Sequence, residues 1–316
     1  MCRILPITSR TFSTLKASAL FELHALGASL NIALWAPTQK RGEDSMQKIR
    51  GKFKLAVVVI VAVGLMAGCA YNTKDLNEQS VLGINWVQTS AEYRALCYQS
   101  FNLSKMNLDA FLATYSGSKP VAIIVDADET VIDNSAYEAW LIGQNFGYSS
   151  KTWIPWIAAA EAKAIPGAAA FLNYAKGRGV EVFYVTNRKI VGYEGTEKNL
   201  KALGFPNVDK KHLLLRTKSS DKQARRDIVA KDYKVAMLLG DNLNDFLSVF
   251  AKKSIADRFA ETDKIKDEWG KMFIMFPNAM YGEWEGSIYK GNWGASAAEK
   301  SKMRKDHLER WDHQPQ

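Results

Sequence analysis

The sequence is poor in cysteine and histidine. Its 316 residues hold three cysteines, Cys2, Cys69 and Cys97, too few for a disulfide framework. Four scattered histidines exclude a His-rich metal cluster. Internal repeats and low-complexity tracts are absent, and a composition of 47% hydrophobic and 24% charged residues excludes a disordered or fibrous chain. The length allows one large domain or a core with a smaller partner. A basic excess is also missing from most of the chain. The formal net charge is +9, but residues 1–68 hold 9 Lys and Arg against 3 Asp and Glu. The other 248 residues carry 33 against 30. A basic nucleic-acid footprint is thus weakly supported, and no nucleic-acid partner is expected.

What the first part does hold is a leader. From Met46, Lys48, Arg50, Lys52 and Lys54 form a positive segment. Leu55 to Leu65 follow as 11 uncharged, mostly apolar residues, the length of a signal core and too short to span a bilayer comfortably. Leu65-Met66-Ala67-Gly68-Cys69 then places small residues before a cysteine. This resembles a bacterial lipoprotein signal over 46–68, in which Cys69 is lipidated and becomes the first mature residue. The other reading is an uncleaved anchor with Cys69 as a buried thiol. No Asp follows Cys69, so the resemblance favours a lipid anchor in the outer membrane. Residues 1–45 fit no part of a leader and are read as an over-extended start or a non-structural extension. Residues 69–90 are expected to form a polar tether, and 291–316 a polar C-terminal tail, helical or loose.

Between them lies a domain over 91–290. Apolar and aromatic residues recur at helical spacing from Ser90 to Ser116. Val121–Val125 is then a continuous apolar run, as expected of a buried parallel strand. Four further strand-like runs follow, Val180–Val185, His212–Leu215, Val235–Leu239 and Phe273–Phe276. Helical stretches at about 166–178, 194–203 and 222–232 separate most of them. This alternation predicts an α/β fold with a doubly wound, mostly parallel sheet. The Trp- and Ala-rich stretch 134–165 breaks the alternation and reads as a small helical cap, interrupted at Gly143, Gly147 and Pro155.

The chemistry collects at strand ends, where open α/β sheets bind ligands. Asp126-Ala127-Asp128-Glu129-Thr130 follows the first strand, so two aspartates two residues apart face one crevice. Thr186 ends the second strand, and Asp241 and Asp245 follow the fourth. Lys222 opens a helix between them. Four carboxylates clustered without a cation repel one another and desolvate badly. A Mg²⁺ ion offsets that cost, because it takes oxygen ligands and retains waters and phosphate. An acidic turn capping a helix is the plainer reading of the first motif alone.

Together the motifs resemble those of the haloacid-dehalogenase-like phosphohydrolases: D-x-D-x-T, a hydroxyl residue, a Lys and an acidic pair, in order over 121–250. The runs VDADETVIDNSAY, KSSDKQARRD and LLGDNLNDF, with the loop Pro277–Gly282, look like class C acid phosphatases. Those are bacterial outer-membrane lipoproteins that act as acid phosphatases and 5′-nucleotidases. Ala127 departs from the larger aliphatic residue common there, with its side chain directed away from the site.

The resemblance implies Asp126 as nucleophile, forming an aspartyl-phosphate. It implies Asp128 as acid and then base, and Thr186 and Lys222 as phosphate holders. It assigns the metal to Asp126, Asp241 and the backbone carbonyl of Asp128, with Asp245 in its outer shell. Trp153 and Tyr281 align with an aromatic pair that stacks on a nucleobase, although cap packing accounts equally well for Trp153. The expected activity is Mg²⁺-dependent hydrolysis of phosphomonoesters, with nucleoside 5′-monophosphates as substrates. The alternatives are another small phosphoester, a catalytically dead surface binding lipoprotein, and a response-regulator receiver. The receiver is disfavoured by its later phosphorylated strand. A homodimer is carried as an expectation.

Overall fold

The computed structural model describes residues 72–313; Cys69, the leader and residues 1–45 lie outside the described residues. Five parallel strands form the central sheet: β1 (Val121–Val125), β4 (Glu181–Lys189), β5 (Leu213–Arg216), β6 (Lys234–Gly240) and β7 (Phe273–Met275). They lie in the order β5-β4-β1-β6-β7. The order reverses at β1, which pairs with β4 on one side and β6 on the other. All five residues of β1 are buried because helices cover both faces of the sheet. Ile123 and Val125 join one core cluster, with Phe101, Leu108, Phe171 and Leu172. Ala122 and Ile124 point the other way, into a cluster with Phe183, Val229 and Phe246. The two-residue alternation of a strand thus builds both cores from one segment.

The long helix α3 (Ala91–Thr114) and α6 (Ala168–Gly177) supply the first face. Helix α7 (Tyr193–Ala202) buries Leu200 in the same cluster, and α8 (Gln223–Asp232) covers the second face through Val229. Helix α9 (Ile255–Lys264) precedes β7, and α10 (Glu283–Ile288) follows it. The expected doubly wound α/β sheet is therefore present.

The stretch 134–165 holds two helices, α4 (Ser135–Leu141) and α5 (Ser150–Ala159), between short antiparallel strands β2 (Ile132–Asp133) and β3 (Lys163–Ala164). Tyr137, Leu141, Trp153 and Ile157 form a small core of their own. Pro155, read as a break, lies inside α5. The helix tolerates a Lys151 carbonyl without its helical donor, and Ser149 caps its start by accepting from the Thr152 backbone.

One boundary needs correction. Residues 69–90 are not a simple tether. Helices α1 (Thr73–Glu78) and α2 (Val81–Thr89) bury Leu76, Ile84 and Val87. Helix α2 presses on the 278–281 loop so closely that a Cβ at Gly83 would stand 2.6 Å from the Ala279 carbonyl oxygen. The tail, read as helical or loose, is helical in part. Helix α11 (Ala297–Asp306) buries Ser301, which accepts from Gln79 Nε2 at 2.8 Å. Arg304 pairs with Glu285 and donates to the Tyr289 hydroxyl at 2.7 Å. A few well-placed contacts fix these polar segments, so hydropathy alone understates them.

Candidate active site

The reversal of strand order at β1 opens a crevice at the carboxyl ends of β1 and β6. The Asp126 backbone N–H continues the ladder, donating to the Leu239 carbonyl at 2.9 Å. Asp126 is therefore level with the end of β6, just before Asp241. One oxygen each from Asp126, Asp241 and Asp245 lies within 4.8 Å of the others. Gly240 permits this: a Cβ there would stand 2.5 Å from Asp245 Cβ and Oδ2, so the side chain of Asp245 folds against bare backbone. Asp245 Oδ2 in turn accepts from the Asn242 backbone at 3.0 Å.

Lys222, buried just before α8, joins the group. Its ammonium contacts Asp126 Oδ1 and lies 2.7 Å from Asp245 Oδ1. Asp241 accepts from Thr130 Oγ1 at 3.3 Å and from Asn278 Nδ2 at 2.9 Å. Burial raises the Asp126 pKa to about 7 against the pull of Lys222, with Asp245 and Asp128 adding to the rise. Asp241 is pushed well above the ordinary carboxylate range by burial and by Asp245 and Asp126. Burial opposes the charge on Lys222, but Asp126 and Asp245 outweigh it and raise its pKa.

Three carboxylates against one ammonium leave two negative charges uncompensated when all are ionised. One divalent cation balances that surplus, and an all-oxygen donor set suits a hard ion. The acidic cluster therefore fits the expected metal, with Asp126, Asp241 and Asp245 as the available carboxylates.

The turn after β1 is strained. Glu129 has φ +56°, which costs a non-glycine residue about 1–2 kcal/mol. Its carboxyl is buried, accepts from the Asn134 backbone at 2.8 Å and is met by the Tyr281 hydroxyl. Burial, with Asp128 and Asp241 nearby, raises its pKa well above the usual range. Ala127 is fully buried in the core, its side chain turned from the crevice as expected.

Asp128 is partly exposed and paired with Arg188 at 2.8 Å. Thr186, in the C-terminal half of neighbouring β4, is fully buried. Its hydroxyl accepts from the Arg188 backbone at 3.1 Å, and its carbonyl accepts from Arg225. Trp153 is only 8% exposed, packed edge-on against Tyr137 at 4.8 Å. Tyr281 is half-buried on its loop. Among the aromatics beside Trp153, Tyr148 is the open one: 62% exposed, with its ring 5.8 Å from that of Trp153.

Glu129, Asn134, Arg188, Asn278 and Tyr148 were not expected as site residues. Arg188 was the most findable. Two residues beyond Thr186 on one strand, it shares the face of Thr186.

A parallel sheet reversing at β1, with strand-end aspartates gathered round a buried lysine, defines a phosphohydrolase of the haloacid-dehalogenase type. Residues 63–284 match the HAD superfamily, subfamily IIIB (Acid phosphatase), and the chain belongs to that family. Two solved structures of the class C acid phosphatase from Bacillus anthracis, one a crystal structure with tungstate bound, are similar to it. Each is 41% identical with a TM-score of 0.72, covering 75% of this chain and 99% of its own. The protein is an acid phosphatase, a phosphoric monoester hydrolase.

Proposed function

We propose that this acid phosphatase is Mg²⁺-dependent, works through an aspartyl-phosphate on Asp126, and prefers nucleoside 5′-monophosphates. The observation that carries this reading is the Lys222 ammonium held between Asp126 and Asp245 inside a three-carboxylate cluster. A structural ion pair needs one carboxylate; the two surplus ones call for a divalent cation. Asp126, Asp241, the Asp128 carbonyl and, from its outer shell, Asp245 would hold the ion. Bound there, a divalent cation favours ionised Asp126 and neutralises phosphoryl charge.

Asp126 attacks phosphorus. Asp128 protonates the departing alkoxide and then takes a proton from the hydrolytic water. Lys222 and the Thr186 hydroxyl orient phosphoryl oxygens and spread their developing charge. Trp153 and Tyr281 form the proposed wall for the base, with Tyr148 as its most accessible ring. Such a wall accepts any base, because every base has a π-face.

Phosphate release from a panel of nucleoside monophosphates, sugar phosphates and an aryl phosphate, with EDTA or Mg²⁺, tests this function. Nucleotides are expected to lead, and only with the cation. Full activity in EDTA after exhaustive dialysis removes the metal from the account, and a sugar phosphate in the lead removes the nucleotide.

We further propose a lipid anchor at Cys69 in the bacterial outer membrane, supported by the leader at 46–68. No helix among the described residues is long and apolar enough to cross a membrane. Cys69→Ser is expected to take up no labelled fatty acid and to leave the membrane fraction; unchanged labelling contradicts the anchor.

A further inference from the structure

Arg188 is 2% exposed, and the chemistry above gives its side chain no part. All three of its guanidinium nitrogens nevertheless have partners. Nε donates to Asp128 Oδ1 at 2.9 Å, and Nη2 lies 2.8 Å from the same oxygen. Nη2 also donates to Asn134 Oδ1 at 3.0 Å, and Nη1 to Thr196 Oγ1 at 3.3 Å. The guanidinium carbon lies 5.5 Å from the centre of the Trp153 ring. Asn134 Nδ2 also donates to Asp128 Oδ1 at 2.9 Å. Trp156 Nε1 fixes Asn134 by donating to its Oδ1 at 2.8 Å. One oxygen of Asp128 thus accepts two hydrogen bonds and lies against a further guanidinium nitrogen, while Oδ2 has no hydrogen-bond partner among the described residues.

A carboxylate oxygen offers about two acceptor sites. A proton on Oδ1 would face both N–H donors and displace them. A free aspartate also turns broadly about its last torsion and presents either oxygen. A rigid guanidinium fork removes that freedom, which the single-point charge of lysine does not.

We propose that Arg188 is a positioning residue for Asp128. It pins Oδ1, so that Oδ2 alone delivers and collects the catalytic proton, and it ties that orientation to the helical insert through Asn134, Trp153 and Trp156. The inference rests on the acid–base reading of Asp128. In the first half-reaction a carboxylate oxygen of Asp126 bonds to phosphorus as the ester P–O bond breaks, and the leaving oxygen takes the proton from Oδ2. In the second, water attacks phosphorus and gives one proton to Oδ2. The acyl-phosphate P–O bond breaks, inorganic phosphate leaves with the water oxygen, and Asp126 is again a carboxylate.

The test compares two leaving groups in the full chain with Mg²⁺. A nucleoside 5′-monophosphate releases an alkoxide that needs the proton; 2,4-dinitrophenyl phosphate releases a phenolate that does not. The ratio kcat/KM reports the first half-reaction only, so a proton-transfer defect there is selective. Arg188→Lys is expected to lower it roughly 30- to 100-fold for the nucleotide and less than about 3-fold for the aryl ester, within the range of a misplaced acid–base group. Asp128→Asn is expected to give the same split, larger, and Asn134→Ala the same split at about 5-fold. Equal losses for both substrates in Arg188→Lys, with the split intact in Asp128→Asn, overturn the inference and leave the Asp128 reading standing. No split in Asp128→Asn removes that reading and the inference with it. Should Arg188→Lys fail to fold, Asn134→Ala decides: a split supports positioning, and equal losses overturn it.

Discussion

The strand-end crevice and the helical insert bury very different things. At the ends of β1 and β6, Asp126, Asp245 and Lys222 are buried, with Asp241 beside them. Burial works against the charges of Asp126, Asp241 and Lys222. In the insert, Tyr137, Leu141, Trp153 and Ile157 bury apolar surface as any core does. A buried charge cluster carrying surplus negative charge is hard to account for by stability alone. A buried tryptophan is not, because packing already explains it. The contrast separates residues whose place needs chemistry from those whose place needs only a hydrophobic neighbour.

Substitutions sharpen this contrast. The largest effect is expected at Asp126. Asp126→Asn should lower turnover by roughly 10⁴-fold or more, the scale of losing a covalent nucleophile in other hydrolases. Its fold should persist by circular dichroism; near wild-type turnover would place the nucleophile elsewhere. Lys222→Met comes next. It should cost about 10²- to 10³-fold in kcat. It should also destabilise the metal-free protein by about 3–5 kcal/mol, because the buried carboxylates lose their partner. A denaturant melt unchanged from wild type would show that the cluster is not held by this ammonium.

The insert is expected to respond more weakly and more selectively. Tyr148→Ala should lower kcat/KM for a nucleoside monophosphate about 5- to 150-fold, the value of one base stack, and spare a ringless phosphoester. Trp153→Ala should show the same selective loss on top of a general one, since its ring also packs the insert. If the ringless ester falls as far as the nucleotide in both variants, the insert supports the site without reading the base.

The smallest effect is a pH-dependent stability. Burial raises Asp126 to about 7 in the folded protein, from about 4 when unfolded. Its carboxyl therefore holds a proton more tightly when folded. The associated stability is fully present below about pH 4 and is lost as pH rises through about 7. Cation binding relieves that loss. The rise in Tm on adding Mg²⁺ to metal-stripped protein should be about 5–10 °C near pH 7.5 at a hundredfold excess over Kd, and smaller at pH 5. A shift independent of pH would mean that Asp126 does not sense the ion.

The same two regions differ in how far the sequence reveals them. The apolar run before Asp126 and the strand-helix alternation marked the sheet, because a strand buried on both faces must be continuously apolar. The aspartates and Lys222 were readable because strand ends fix where they go. The partners of Asp128 were not. Asn134 and Thr196 reach Arg188 from outside β4, and only the folded chain brings them together. Nor does the sequence mark Tyr148, since its exposure beside Trp153 depends on how the 142–149 segment turns. Helices α1 and α2 were hidden for a related reason: three buried side chains hold them, too few to dominate a polar stretch.

The most direct test of the central claim is to trap the enzyme during turnover. Rapid acid quench with a ³²P-labelled phosphomonoester and Mg²⁺, followed by peptide mapping, reports where phosphorus is bound. The account predicts label on the peptide containing Asp126 in the wild type, and none in Asp126→Asn. Label on another residue, or single-turnover phosphate release with no labelled protein at any quench time, would contradict it.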